Sequence, residues 1–247
     1  MTQAPYKLYY WPSLQGRGEF IRLAFEETQT PYIDVARQPQ NAGGGVSAIQ
    51  ALLRGDHAGL RPLAPPIVVA GDVVLAQVAN ILMFLGPRLG LAPNDEAGRA
   101  AVNQLQLSLA DLVAEVHDTH HPISNGLYYE DQKPEAIRRT ESFREQRMPK
   151  FLGYFEDALT RNSAGAGKYL FGDNLTYADL SMFQVMTGLE YAFPKAYTRV
   201  TATTPKLLAL REHVASRPNV AAYLASPRRL ANNESDIFRR YPELDDA

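Results

Sequence analysis

Ala64-Pro65-Pro66-Ile67-Val68-Val69-Ala70-Gly71-Asp72-Val73-Val74-Leu75 decides how the first part of the chain folds. Ile67 to Val69 and Val73 to Leu75 are short apolar runs, and Ala70-Gly71-Asp72 between them is turn chemistry. The stretch therefore predicts a hairpin entered through a proline pair. Downstream, a helix is expected from about Gln77 to Leu85, ended by Gly86-Pro87. Upstream, Tyr6-Lys7-Leu8-Tyr9-Tyr10-Trp11 reads as an aromatic-rich strand closed by Pro12. Gly16 and Gly18 follow, then a helix over Glu19 to Glu27. Its apolar face is Phe20, Ile21, Ala24 and Phe25, while Glu19, Arg22 and Glu26 are expected to point away. Pro31 stops it, and Tyr32 to Val35 reads as a second strand, which predicts a parallel crossover. Residues 38–62 are poorly patterned, with Gly43-Gly44-Gly45 a flexible stretch and Val46 to Leu53 a short helix. The first 86 residues thus read βαβ, a short helix, then ββα.

After Ala92-Pro93 the texture becomes helical. Asn94 or Asp95 can cap a helix carrying Val102, Leu105, Leu109, Leu112, Val113 and Val116 at spacings of three and four, which should run to about Thr119. A second long helix is expected over Pro134 to Arg161, with a kink near Met148-Pro149. A third begins at Thr176-Tyr177-Ala178-Asp179, a capping box. Two more cover Pro205 to Ser216 and Pro218 to Leu224. The expected organisation is an α/β unit over 1–87, an all-α unit over 93–226, and a polar tail over 227–247 that is a surface arm or disordered.

Composition bounds the function. The 247 residues carry 25 basic and 27 acidic side chains, a net charge of −2 with no basic excess to hold a phosphate backbone, so nucleic acid is a poor partner. Cysteine is absent, which excludes a disulfide framework, a thiolate metal site and a cysteine nucleophile. No apolar run approaches membrane-spanning length and the N-terminus has no apolar signal core, so an intracellular, cytoplasmic protein is expected. His117 and His121 share a helical face, but no carboxylate completes a metal motif, so no metal is expected.

An N-terminal βαβ–ββα module with proline before the hairpin, followed by a helical unit, resembles the glutathione transferases. The residues that carry this are Tyr10-Trp11 and Gly16-Arg17, Ala64-Pro65-Pro66-Ile67, Gly71-Asp72 with Gln77-Val78-Ala79-Asn80-Ile81-Leu82, and Gly172 to Ser181 with its capping box. Bacterial and fungal members with a first-strand tyrosine and an extended tail are the nearest kind. The resemblance implies a thioredoxin-like unit that binds glutathione, a helical unit that shapes the pocket for a small electrophile, a homodimer and a role in detoxification. Non-catalytic members of the same fold, and glutathione-dependent peroxidases, isomerases and dehalogenases, are the alternative readings.

The chemistry implied is attack by the glutathione sulfur. A free thiol is only about 3% thiolate at pH 7, so a donor aimed at the sulfur and a nearby cation would activate it. By similarity the donor is Tyr10, with Tyr9 on the opposite strand face as its rival. Ser13 in the following loop is the other candidate, and Arg17 is the cation. Pro66 matches a cis-proline, and the residue before it, Pro65, would pair through its backbone with the cysteinyl part of glutathione. Gln77 and Val78 match the helix start that holds the γ-glutamyl carboxylate. Asp111 matches an acidic residue reaching across the dimer, and Trp11 and His117 are candidates for the electrophile pocket. Pro65 has no N–H and Val78 no hydroxyl, so glutathione is expected to bind weakly.

Overall fold

The computed structural model describes residues 5–57 and 59–245. Four strands, β1 (Tyr6–Tyr9), β2 (Tyr32–Asp34), β3 (Ile67–Ala70) and β4 (Val73–Ala76), form one sheet in the order β2-β1-β3-β4. β1 and β2 are parallel, with Tyr6 opposite Tyr32, as the crossover through α1 (Glu19–Glu27) requires. β3 runs antiparallel to β1, with Tyr9 opposite Ile67, and turns at Gly71-Asp72 into β4. α2 (Val46–Arg54) follows β2, and α3 (Val78–Leu89) follows β4.

Two expectations about this part are corrected. α3 does not end at Gly86-Pro87. A proline in the last turn removes only one hydrogen bond, and the helix continues until Gly90, whose φ of 69° closes it. Nor do Glu19 and Arg22 face solvent, since both are fully buried. Arg22 Nε donates to Asp34 at 2.8 Å and Arg22 Nη1 to Glu19 at 3.3 Å and to the carbonyls of Leu14 and Gln15 at 3.1 Å. The polar face of α1 packs on the connection that precedes it and on the helical half, so its charges need partners inside.

The helical half comprises α4 (Glu96–Asp118), α5 (Lys133–Ser142), α6 (Met148–Arg161), α7 (Tyr177–Ala192), α8 (Pro194–Thr201), α9 (Pro205–Ala215) and α10 (Pro218–Leu224). Asp95 caps α4 by accepting the Gly98 N–H at 2.7 Å. Between α5 and α6 the chain makes a wide π turn over Phe143–Arg147, because Pro149 has no N–H for the carbonyl four residues back. The capping box forms: Asp179 accepts from the Thr176 amide at 2.7 Å and hydroxyl at 2.8 Å, and also from the Leu170 amide at 2.7 Å. α8 was not anticipated. Its cue was Pro194 at the first helical position.

The tail also departs from expectation. Asp236, Ile237, Phe238, Leu244 and Asp245 are buried. Tyr241 stacks on Tyr129 with ring centroids 3.8 Å apart, and Asp245 accepts the first amides of α8, Lys195 at 2.8 Å and Ala196 at 3.1 Å. Part of its polarity serves a helix end, as Asp245 does at the start of α8.

Candidate functional site

Tyr10 sits one residue past β1, 5% exposed, with its ring clasped by two glycines. A Cβ on Gly16 would lie 2.1 Å from the Tyr10 hydroxyl, and one on Gly18 would lie 2.7 Å from its ring. Gly16 has φ +46°, so both the backbone conformation and the close approach require glycine. The Arg17 amide donates to the Tyr10 hydroxyl at 2.9 Å, and the buried Arg22 guanidinium lies 5.8 Å from the ring centroid. Burial pushes the Tyr10 pKa up, against the opposing pull of the Arg17 N–H. The group is therefore a neutral phenol at neutral pH, with its proton free to donate.

The Pro65-Pro66 bond is cis and leads into β3. Since Tyr9 faces Ile67, the proline pair continues the register beside Tyr10. Gln77 stands at the start of α3 with φ 68° and ψ 123°, a conformation rarely adopted outside glycine that costs about 1–3 kcal/mol. The Gln77 side chain does not cap α3, and among the described residues no side chain accepts its first amides, which are open to an anion. Arg17, Gln77 and Val78 line one cavity of about 290 Å³, closed on the far side by Leu109, Ala110 and Val113 of α4. Arg17 has no ion-pair partner among the described residues.

On α4, His117 stacks on His121 with centroids 5.0 Å apart and meets His120 edge-on at 5.1 Å. Burial, and then the Arg17 charge, push His117 down to about 4, and burial pushes His120 down to about 2. These rings are neutral at pH 7. Among the described residues no group of three or more His, Cys, Asp or Glu side chains is arranged to hold a metal ion. No helix among them is long and apolar enough to cross a membrane.

The expected residues fall into two groups. Arg17, Gln77 and Val78 share one cavity. Tyr10 joins them through the Arg17 amide and the proline pair through strand register, and His117 lies within reach of the Arg17 charge, but none of these lines the cavity. Ser13 is exposed on the outer bend, where its carbonyl accepts from Asn233 at 3.0 Å. Asp111 is exposed on α4 and does not line the cavity, although its neighbour Ala110 does. Trp11 is half-buried beside Pro12. Two features escaped sequence reading. The Glu19–Arg22–Asp34 network braces the loop beneath Tyr10, and Glu19 is reached there by Arg229 and, at 2.7 Å, by the Tyr223 hydroxyl. The other is Asp236, whose carboxylate accepts the amides of Gln15 at 3.0 Å and Gly16 at 2.8 Å. No local signal marks it.

With this geometry in place, the family model for the glutathione S-transferase C-terminal domain matches residues 117–227. The chain is 27% identical over 213 residues to a glutathione S-transferase of Plasmodium yoelii yoelii, covering 86% of this chain and 90% of that one. It is 27% identical over 227 residues to glutathione S-transferase P of Bos taurus, covering 92% and 94%. Its fold is similar to a Pi-class glutathione S-transferase of Onchocerca volvulus, with a TM-score of 0.68 at 19% identity over 90% of this chain and 92% of that one. None of these relatives is bacterial or fungal.

Proposed function

We propose that this chain, which belongs to the glutathione S-transferase family, joins the thiolate of glutathione to a small electrophile. The observation that carries the reading is Tyr10: a buried, neutral phenol that accepts the Arg17 amide and keeps its own proton for a sulfur placed at the start of α1. Arg17, which has no ion-pair partner among the described residues, supplies a cation beside it. The open amides at the start of α3, with Gln77, receive the γ-glutamyl carboxylate, and the Pro65 carbonyl receives the cysteinyl N–H. Because Pro65 returns no N–H and Val78 no hydroxyl, glutathione binds with Kd nearer 1 mM than 1 μM, about −4 rather than −8 kcal/mol. Trp11 and His117 border the electrophile. Ser13 is a poor activator, since its side chain is exposed on the far bend.

The protein acts in the cytoplasm, in detoxification, as a homodimer whose partner extends Asp111 toward the glutathione amine. Support for pairing comes from Leu60 and Leu63, 91% and 88% exposed before β3, and from Leu107 and Met83, 50% and 43% exposed on α4 and α3. The units 1–87, 93–226 and 227–247 divide the work between glutathione, electrophile and closure.

Tyr10→Phe tests the assignment. Conjugation of an aryl halide should fall about 10- to 100-fold, and the pKa of the pH–rate profile should move toward 8.5, with glutathione affinity little changed. Full activity in Tyr10→Phe together with its loss in Ser13→Ala would hand the role to Ser13.

A further inference from the structure

The segment from Leu230 to Phe238 lies beyond the family-model match, which ends at 227, yet it crosses the corner that holds Tyr10. Gln15 Nε2 donates to the Leu230 carbonyl at 2.5 Å, and Asn233 Nδ2 to the Ser13 carbonyl at 3.0 Å. The Asp236 carboxylate accepts the Gln15 and Gly16 amides at 3.0 and 2.8 Å and the Ile237 amide at 2.7 Å. His120 Nε2 donates to the Ile237 carbonyl at 2.8 Å. The Phe238 ring occupies the notch of Gly188 on α7, where a Cβ would lie 2.3 Å from it. The segment is thus fastened on both sides of Asp236.

Gln15 and Gly16 begin the helical turn that leads into α1, and the first amides of a helix lack internal partners. Gln15 does not cap this turn with its own side chain. The cap comes from a residue 220 positions away. The next amide in the chain, that of Arg17, is the one that binds the Tyr10 hydroxyl, so a single peptide unit separates the carboxylate's grip from the phenol's. The groups facing the carboxylate are Tyr10, Glu19 and Tyr191, while Arg239 Nε donates to the Asp236 carbonyl at 2.7 Å. Among the described residues no cation forms an ion pair with the carboxylate, whose oxygens are taken by the Gln15, Gly16 and Ile237 amides, and its charge acts on Tyr10 against the Arg17 and Arg22 charges.

We propose that Asp236 is a positioning residue for the transfer reaction: it clamps the Gln15–Gly16 turn, holds the Arg17 amide against the Tyr10 hydroxyl, and places a fixed negative charge that opposes thiolate formation there. This rests on the reading of Tyr10 as donor to the glutathione sulfur. The clamp and the charge separate in two variants. Asp236→Ala removes all three bonds. Asp236→Asn removes the charge but keeps a carbonyl oxygen for Gly16 and Ile237.

The experiment measures amide hydrogen exchange over residues 13–19 in the ligand-free protein, and the pH–rate profile with glutathione and a chlorodinitrobenzene. In Asp236→Ala, exchange at Gly16 and Arg17 should accelerate at least about tenfold and kcat/KM should fall about tenfold. Asp236→Asn should hold exchange within about threefold of wild type and shift the profile to lower pH by about half a unit. Unchanged exchange in Asp236→Ala overturns the clamp. A rise in kcat/KM in that variant beyond the about threefold that loss of the charge alone gives also overturns it, because the segment would then be obstructing the site. A superposable profile for Asp236→Asn overturns the charge effect, and if Asp236→Ala does not fold, exchange at Gly16 and Arg17 in Asp236→Ser decides the clamp: acceleration supports it and unchanged exchange overturns it. Exchange needs no turnover, so a wild type that conjugates nothing refutes the transferase reading while the clamp stands or falls on exchange.

Discussion

Gly16→Ala should be among the most damaging single-methyl additions in this chain. The new Cβ would lie 2.1 Å from the Tyr10 hydroxyl and 2.5 and 2.6 Å from two ring carbons, where ordinary contacts begin near 3.4 Å. The ring has nowhere to retreat. It is 5% exposed, and Gly18 touches its inner edge, where a Cβ would lie 2.7 Å away. Alanine at φ +46° adds about 1 kcal/mol of left-handed strain, and overpacking a buried ring costs about 1–3 kcal/mol more. The displaced hydroxyl also loses its 2.9 Å bond from Arg17, leaving a half-buried amide unpaired. A stability loss of about 2–5 kcal/mol is expected from urea unfolding, with conjugation reduced about as far as in Tyr10→Phe. In the Tyr10→Phe background the same alanine meets no hydroxyl, so the second loss should be smaller than the first. A Gly16→Ala protein within about 0.5 kcal/mol of wild type and fully active would refute the argument, because Tyr10 could not then lie beneath this turn.

Arg22→Met should cost about 3–5 kcal/mol by urea unfolding, since it removes the buried cation shared by Glu19 and Asp34 and leaves them only Arg229 and, at 3.9 Å, Arg37. Stability should fall on acidification. His117 and His120 titrate near 4 and 2 when folded but near 6.5 when unfolded, so the unfolded chain binds more protons below about pH 6.5. Unfolding free energy measured from pH 7 to 4.5 should therefore drop by up to about 1.4 kcal/mol per pH unit for His120, and less for the more exposed His117. Light scattering should give about twice 27.4 kDa, and Leu63→Asp should lower that mass at micromolar concentration.

The elements of this protein were legible wherever their cause is local. The hairpin is written in Ala70-Gly71-Asp72 and its flanking apolar runs. The start of α7 is written in Thr176 and Asp179, and α4 in its spacing of three and four. Tyr10, Arg17, Gln77 and Val78 were named through the family resemblance, and local pattern added only that each stands near the end of a strand or the start of a helix. Periodicity could not tell that the charged face of α1 is also covered. Glu19 and Arg22 look solvent-bound until Tyr223 and Arg229, about 200 residues away, close over them. Nor could it place the tail. A helix's opening amides demand an acceptor, but the sequence near Gln15 offers none, and only the folded chain brings Asp236 to them. Propensity and capping act over a few residues, whereas the partners of a buried charge or an open helix end are chosen by which surfaces the tertiary fold presses together.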